Sequence, residues 1–347
     1  MSYAQSGLAV SAFALSLGLS NGPLGVLADR IGSRRVVVGG LVLTGLASLA
    51  LGLVGDYPQL LFMLLVLGVV SGTYHAPSAA ILARTFSARV RGTAMGVHIT
   101  GGHFAFFAAP LLASYLATAT GTWRTAYLWF GIAPIAVSVV LWLVTTRDPV
   151  RATGRDVFGS FREIATVTRI IGPLVSVSVL FQVFHAAVNA FLALYLVDAR
   201  GVSPAIAAVA FGFTQLVGIV GAPLGGLLSD RVGRKVPIIA SFAVAGPATY
   251  LLTIVPTEWI LGPLALIGFA GSMRATATEV FVMDSAPAER RATILGAYYL
   301  VAQPVGGLFA PVFGAVAGAV GIATAFSAAG LALFACSVLA LVLGRRL

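Results

Sequence analysis

The chain has 347 residues, of which 59% are hydrophobic and only 9% are Asp, Glu, Lys or Arg. In soluble domains roughly a quarter of the residues are charged. The composition of this chain therefore excludes a water-soluble globular protein. The formal net charge is +10, but the basic residues lie between apolar runs, which excludes a basic face for nucleic acid. The composition predicts an integral membrane protein with many spans.

Eleven apolar runs are long enough to cross a membrane, because a spanning helix needs about 20 residues. The first run lacks the basic n-region and cleavage site of a signal peptide, so we expect it to be retained as a span. The fold class is therefore all-α. In chain order the predicted spans are 3–24, 36–55, 58–83, 92–118, 123–146, 171–198, 204–228, 236–255, 259–283, 292–318 and 321–344.

The basic residues collect on one side of the predicted membrane. The loops on that side, with the C-terminal arginine pair, hold 18 of the 21 Lys and Arg residues. The opposite loops hold Arg124 and Arg200, while Arg274 falls within a predicted helix. By the positive-inside rule we expect the first side to be cytoplasmic. This places the C-terminus inside the cell and, with eleven helices, the N-terminus outside.

One long polar segment divides the chain. Residues 147–170 are rich in charged side chains, and Phe158, Phe161 and Ile164 are spaced to form a short amphipathic helix on the inner membrane surface. We therefore predict an N-terminal half at 1–146 with five helices, a cytoplasmic linker at 147–170, and a C-terminal half at 171–347 with six helices.

A charged turn occurs once in each half. Asp29 lies at the C-terminal end of its helix, where the helix dipole disfavours a carboxylate, so we expect a cationic or helix-N-terminal partner for it. Gly25 allows a second helix to approach closely, and Gly32 allows a left-handed turn. The positions that match at a constant offset of 201 residues are Gly25/Gly226, Leu27/Leu228, Asp29/Asp230, Arg30/Arg231, Gly32/Gly233 and Arg34/Lys235.

These paired turns resemble the major facilitator superfamily, which carries the pattern G-x-L-x-D-R-x-G-R-[RK] between helices 2 and 3 and a weaker copy between helices 8 and 9. The resemblance implies twelve helices in two pseudo-symmetric halves, with substrate bound near the midplane between them. It also implies that the Asp29 cluster latches the halves on the cytoplasmic side when the cavity opens outward. The alternative is that these turns only anchor the topology.

The position of the first turn bears on the start of the chain. It follows one predicted helix, whereas the resemblance places it after two, so by that numbering the chain begins at helix 2. We expect that the start codon is placed late or that the chain is truncated. A functional eleven-helix variant is the least favoured interpretation, because losing a helix would expose polar cavity wall to lipid.

Ionisable side chains within spans are candidate functional groups, because charge is costly in the membrane. Arg274 lies roughly 15 Å from the cytoplasmic end of its helix at 1.5 Å per residue, and His75, next to Tyr74, lies at similar depth in the first half. The resemblance assigns these helices to the cavity, so we expect Arg274 and His75 to face one another and bind an anion or a proton. The alternatives are structural pairing for Arg274 and helix packing for His75.

Two further sets of residues are weaker candidates. Glu279 and His98 lie at comparable depth, which suits a proton-coupling pair or a gate. Gln182, His185 and Asn189 recur at i, i+3 and i+7, a polar face that either lines the cavity or holds helices together. The residues that pack more often than they bind are His103, Gln215, Tyr298, Tyr299 and Gln303.

Catalytic machinery is not evident. The glycine-rich turns lack a phosphate loop, and the four histidines and one cysteine form no dense metal site, so we predict no enzyme, cofactor or metal. We predict a monomeric secondary transporter in the plasma (inner) membrane that moves a small organic anion by proton-coupled alternating access. Its partners are the substrate, the lipid bilayer and protons.

Two alternatives remain open. The first is a proton-coupled multidrug or antibiotic exporter: helix 5 has alanine or serine where the antiporter signature has glycine, yet His75 before Pro77, with Arg91-Gly92 and Gly101-Gly102, resembles exporters of the fosmidomycin-resistance type. The second is a non-transporting membrane sensor or an inactive truncated product.

Overall fold

A computed structural model describes residues 3–145 and 157–344, and helices are the only regular secondary structure within them, apart from 3-10 turns at Thr257–Trp259 and Ala288–Arg290. The predicted all-α fold class is confirmed. The helices are α1 (Tyr3–Ile31), α2 (Ser33–Leu51), α3 (Tyr57–Ser71), α4 (His75–Thr85), α5 (Arg91–Thr120), α6 (Arg124–Val144), α7 (Val157–Asp198), α8 (Pro204–Val232), α9 (Lys235–Ile254), α10 (Leu261–Ser285), α11 (Arg291–Val320) and α12 (Ile322–Gly344).

Within the described residues, ten segments are long and apolar enough to cross a membrane. Each of them coincides with a predicted span, and α3 and α4 together make one of the ten. The remaining predicted span, 292–318, coincides with α11, a helix of 30 residues.

The predicted span 58–83 is interrupted between α3 and α4. The prediction of one continuous helix at this place is therefore wrong. The backbone N–H groups of Thr73 and Tyr74 bond three residues back instead of four. The physical reason is Pro77, which has no N–H to donate to the carbonyl of Thr73, combined with the flexible Gly72. The interruption places Tyr74 and His75 at a helix start instead of within a regular helix.

The central linker is only partly covered. Residues 146–156 lie outside the described residues, and from Val157 the chain is helical without a break through α7. The side chains of Phe158, Phe161 and Ile164 also lie outside them, so the amphipathic surface helix stays a prediction.

The chain forms two compact units. Unit 1 comprises Met1–Thr85, Ala108–Thr166 and Ala286–Pro304, and unit 2 comprises Phe86–Phe107, Val167–Ser285 and Val305–Leu347. Each unit therefore contains sequence from both sides of the linker: unit 1 includes the start of α11, and unit 2 includes the start of α5. The domain limits at 1–146 and 171–347 stay a prediction.

Unit 1 is held together by small side chains. Helix α2 packs against α6 and α3, and α1 packs against α3. Gly45 and Gly131 approach so closely that a Cβ on either would collide with the opposite helix, and the hydroxyl of Ser48 donates to the carbonyl of Tyr127 at 2.9 Å. Close approach of this kind supplies the van der Waals contact that stabilises helices in lipid.

Unit 2 has a core that contains stacked aromatic rings. Helix α10 packs against α8 and α9, and α9 packs against α12. The rings of Phe181 and Phe242 stack at 4.6 Å, and those of Tyr195 and Phe326 stack at 4.3 Å. The buried hydroxyl of Tyr195 donates to the carbonyl of Leu252 at 3.0 Å, so its polar end is satisfied.

Each unit has one helix whose C-terminal end is capped by an arginine. Arg124 donates to the carbonyl of Val54 at 2.8 Å, and Arg200 donates to the carbonyl of Val255. Val54 and Val255 are separated by 201 residues, the offset of the duplicated turn. A cation at the C-terminal end of a helix is favourable, so both copies meet the same requirement with arginines from different places in the chain.

Candidate functional site

The charged turn of unit 1 joins α1 to the N-terminus of α11. The carboxylate of Asp29 accepts the backbone N–H of Thr293 at 2.7 Å and that of Ala292 at 3.3 Å, and the hydroxyl of Thr293 also bonds to it. The first N–H groups of a helix have no intrahelical partner and attract negative charge. The expectation of a helix-N-terminal partner for Asp29 is therefore confirmed.

Glycines make this contact possible. A Cβ on Gly25 would collide with the backbone of Ala292, and one on Gly296 would collide with the backbone of Asn21. Gly32, which follows α1, has a φ of 98°, in the range that favours glycine. The predicted close helix approach at Gly25 and the predicted left-handed turn at Gly32 are confirmed.

The charged turn of unit 2 repeats this arrangement between α8 and α5. The carboxylate of Asp230 accepts the backbone N–H of Gly92 at 2.8 Å, the N–H of Thr93 at 2.7 Å and the hydroxyl of Thr93 at 2.8 Å. A Cβ on Gly226 would collide with the backbone of Gly92, and Gly233 has a φ of 89°. The duplication therefore extends to the helix that receives the carboxylate.

Sequence reasoning missed that second half of the motif. Arg91-Gly92-Thr93 with Gly96, and Arg291-Ala292-Thr293 with Gly296, form the pattern R-[GA]-T-x-x-G at an offset of 200 residues. The repeat was visible in the sequence, but its spacing differs by one from that of the turns. Its function becomes evident only when each copy is seen to bind the turn.

Unit 2 adds a network of ion pairs. Arg234 pairs with Asp230, donates from Nε to Asp284 at 2.8 Å and donates from Nη2 to the carbonyl of Ala88 at 2.7 Å. Arg91 pairs with the other oxygen of Asp284. Two arginines and two aspartates thus connect the start of α5 with the ends of α8 and α10.

Unit 1 has no arginine at the place of Arg234. The equivalent residue is Ser33, which is fully buried and whose hydroxyl has no hydrogen-bond partner within the described part of the chain. Arg84 acts on Asp29 through space. In the turn of unit 1 the carboxylate therefore binds a helix start as it does in unit 2, but the position of Arg234 supplies no arginine to pair with it.

The other basic residues of the turns have different surroundings. Arg30 and Arg231 are exposed. Arg34 donates to the hydroxyl of Thr145 at 3.0 Å and lies 4.2 Å from the ring centre of Trp142, which anchors α2 to the end of α6. Lys235, at the equivalent position, is the first residue of α9.

Arg274 lies between α10 and α7 in unit 2. It is 4% exposed; Nη1 donates to the hydroxyl of Ser178 at 3.1 Å, and Nη2 donates to the amide oxygen of Gln182. The guanidinium lies 5.4 Å from the ring centre of Phe181, and Ser178 shares a hydrogen bond of 2.9 Å with Thr278. The structure thus brings together Arg274 and Gln182, two candidates assigned to separate sets.

His185 lies one turn further along α7. Its ring is 5.6 Å from that of Phe181, and it interacts electrostatically with Arg274 and with His103. Its Nδ1 is buried without a hydrogen-bond partner among the described residues. Asn189 donates to the carbonyl of His185 at 2.9 Å, so its amide N–H bonds within its own helix.

Two weaker candidates form a pair across α5 and α8. Nδ1 of His103 lies 3.0 Å from the amide oxygen of Gln215. One turn earlier, the hydroxyl of Thr100 donates to the carbonyl of Ile219 at 3.1 Å.

His75 has aromatic neighbours in unit 1. Its ring is 5.4 Å from that of Tyr299 and 5.9 Å from that of Tyr74, and Tyr298 lies 5.3 Å from Tyr299. This cluster joins the start of α4 to α11. That His75 faces Arg274 stays a prediction, as does the contact between Glu279 and His98, two half-buried residues of unit 2.

Comparison with known proteins gives a consistent set of matches. The family model described as Major Facilitator Superfamily matches residues 1–311 and, a second time, residues 175–346. The fosmidomycin resistance protein of Escherichia coli is 25% identical over 332 residues, which cover 91% of this chain and 78% of that protein. The 3-(3-hydroxy-phenyl)propionate transporter of Escherichia coli is 28% identical over 283 residues, covering 78% of this chain and 67% of that protein.

A solved structure resembles the whole chain. The human organic anion transporter MFSD10 superposes with a TM-score of 0.85 at 17% identity, covering 96% of this chain and 83% of that one. At this identity the likeness concerns the fold alone.

Proposed function

Because the chain belongs to the Major Facilitator Superfamily and is a multi-pass membrane transporter, we propose that it moves a small organic anion by proton-coupled alternating access. The observation that carries the proposal is the buried guanidinium of Arg274, held between α10 and α7. Substrates of such transporters bind near the middle of the membrane, and Arg274 lies near the middle of α10.

The surroundings of Arg274 suit an anion. Ser178 and Gln182 are neutral, and their hydrogen bonds hold the guanidinium in place. Burying a charge within a span is costly and is retained where it serves a function. A carboxylate that reaches this fork can accept two parallel charge-assisted hydrogen bonds. One relative is named for a carboxylate, 3-(3-hydroxy-phenyl)propionate.

The two charged turns supply the gating part of the proposal. Asp29 and Asp230 each hold the start of a long helix through its free N–H groups. We place both turns on the cytoplasmic side, where most basic residues lie. When the site opens to the cytoplasm these contacts break, and when it opens outward they form.

A drug exporter is the second candidate. The relative named for fosmidomycin resistance covers 91% of this chain, a wider match than that of the carboxylate transporter. The two proposals share the fold and the turns, and they differ in whether Arg274 contacts the substrate.

The experiment compares Arg274→Gln with wild-type protein in binding and proteoliposome uptake. The test anion is 3-(3-hydroxyphenyl)propionate, and the matched neutral compound is the alcohol in which the carboxylate is replaced. A charge-assisted hydrogen bond contributes about 1.5–3 kcal/mol, so we expect Arg274→Gln to weaken anion binding by about 10- to 150-fold. The neutral alcohol should bind neither protein.

Arg200→Gln is the matched control, because it makes the same change in the same unit at the capped end of α9. It should retain anion binding. If wild-type protein does not bind the anion, or if Arg274→Gln binds it normally, the anion proposal is wrong. Fosmidomycin transport that survives Arg274→Gln supports the exporter.

A further inference from the structure

Gln182 presents its side-chain amide to Arg274 in one orientation. Nη2 of Arg274 donates a hydrogen bond to this amide, and a guanidinium has donors only. The atom that receives the bond is therefore the amide oxygen, Oε1. The amide nitrogen is on the other branch of the same planar group, so Nε2 and its two hydrogens face away from Arg274.

These two hydrogens are available to a ligand. Within the described part of the chain, no group accepts a hydrogen bond from Nε2 of Gln182. Gln182 is half-buried, whereas Arg274 is 4% exposed and Ser178 is 1% exposed. Of the three residues that meet at the guanidinium, Gln182 is thus the most accessible, and it also has unused donors.

The other two residues of the predicted polar face on α7 are arranged differently. Asn189 donates its amide N–H to the carbonyl of His185 at 2.9 Å, within α7 itself. The ring of His185 lies against α10, where a Cβ on Gly271 would be 2.4 Å from its Nε2. Gln182, and not Asn189, therefore has an amide that a second helix orients.

Joining α7 to α10 does not require the amide nitrogen of Gln182. The hydroxyls of Ser178 and Thr278 share a hydrogen bond of 2.9 Å, and Nη1 of Arg274 donates to Ser178 at 3.1 Å. The guanidinium also lies 5.4 Å from the ring centre of Phe181. These contacts use Ser178, Phe181 and Oε1 of Gln182. Because none of them involves Nε2, helix packing does not account for that atom.

We propose that Nε2 of Gln182 donates a hydrogen bond directly to the carboxylate of the transported anion. The inference rests on the proposed anion site at Arg274 and names a second contact residue in it. A carboxylate has about four acceptor positions, so two bonds from the guanidinium leave room for one from the amide. Both residues then present donors to the ligand, which suits an oxyanion and disfavours an ammonium group.

Arg274 strengthens the contact that Gln182 makes. Hydrogen bonds in a chain polarise one another, so the bond that Oε1 accepts from the guanidinium makes the amide N–H a better donor. Because Arg274 fixes the amide before the ligand arrives, less conformational entropy is lost on binding. Gln182 is therefore held by Arg274 and touches the ligand itself.

The test is a double-mutant cycle between Gln182→Ala and Arg274→Gln, measured as the dissociation constant of 3-(3-hydroxyphenyl)propionate for the full-length protein. We expect Gln182→Ala to weaken binding by about 10-fold, the lower end for a hydrogen bond to a charged group, because Nε2 is accessible to water. It should also weaken binding in the Arg274→Gln background. A residue that acts only by positioning Arg274 would have no effect once the guanidinium is gone.

Ser178→Ala is the matched control, because it removes the other neutral partner of the guanidinium. Ser178 is buried and does not reach a ligand, so any loss that Ser178→Ala causes should disappear in the Arg274→Gln background. Gln182→Met keeps the length of the side chain without an N–H donor, and it replaces Gln182→Ala if that variant does not fold.

The proposal is overturned if the Gln182 variants bind the anion as wild-type protein does, or if their effect disappears in the Arg274→Gln background. Normal anion binding by Arg274→Gln contradicts the anion site instead, so the two failures are distinguishable. If wild-type protein does not bind the anion, the anion site fails, and the contact proposed for Gln182 fails with it.

Discussion

The two charged turns bind a helix start in the same way, but they differ in the ion pairs around the aspartate. In each unit an aspartate at the end of one helix accepts two successive backbone N–H groups and a threonine hydroxyl at the start of another. In unit 2, Arg234 pairs directly with this aspartate and with Asp284. In unit 1, the corresponding place holds the buried Ser33.

The comparison distinguishes the contact that both turns make, an aspartate bound to a helix start, from the ion pairs that only the turn of unit 2 makes. The shared part depends on backbone groups that every helix start provides, so it tolerates change in the neighbouring side chains. The arginine and its second carboxylate are absent from unit 1 together: an offset of 200 or 201 from Asp284 leads to Arg84 or Ala83. We infer that the turn of unit 2 is the more stable one.

The largest expected effect comes from neutralising the two aspartates. Asp230 is 5% exposed and paired with Arg234, so Asp230→Asn should cost about 3–5 kcal/mol, as for breaking a buried ion pair. Asp29→Asn weakens charge-assisted hydrogen bonds and loses the longer-range attraction of Arg84, but it breaks no pairing with an arginine at the position of Arg234. It should therefore cost less, about 1.5–3 kcal/mol. Thermal unfolding of the purified protein measures both. Equal losses would contradict the inferred difference between the turns.

The next effect concerns the feature that the units share. Gly25→Val and Gly226→Val each place a side chain against helix backbone that cannot move aside. Overpacking costs about 1–3 kcal/mol, and we expect the two losses to be similar because the reinforcement plays no part in them. Gly39→Val is the control, since nothing lies near a Cβ at that position. A loss in only one variant would show that the helix crossings are not equivalent.

The smallest expected effect concerns Ser33, the residue of unit 1 at the position equivalent to Arg234. An unsatisfied buried polar group costs about 1–3 kcal/mol, so Ser33→Ala should leave stability unchanged or raise it by about 1 kcal/mol. Ser229→Ala is a useful comparison, because that buried hydroxyl receives a hydrogen bond of 3.3 Å from Arg234. Marked destabilisation by Ser33→Ala would mean that Ser33 has a role in the turn.

Much of the fold could be predicted because membrane spans follow directly from apolar length. The boundaries of α2, α6, α9 and α12 agree with the predicted runs to within a few residues. The interruption before His75 was missed, although Pro77 was visible, because proline also occurs inside spans without ending them: Pro134 and Pro223 lie within α6 and α8. Whether neighbouring groups rescue a broken backbone bond depends on tertiary surroundings.

The candidate site was predicted as a set of residue types and depths and not as a set of contacts. The depth of Arg274 could be counted along its helix, but its partners Ser178 and Gln182 lie more than 90 residues away in sequence. The pairing of His103 with Gln215 spans 112 residues. Such contacts depend on helix rotation and packing, which hydrophobicity along a largely apolar helix does not encode.

By itself the sequence determined that this is a helical membrane protein with a duplicated charged turn, because apolar length, charge placement and repeats are properties of the linear chain. It also determined that Asp29 needs a partner, since a carboxylate at a helix C-terminus is unfavourable. Only the tertiary structure decided that the partner is the start of α11, that unit 2 clamps its aspartate with Arg234, and that His103 meets Gln215. These features arise where helices distant in sequence cross.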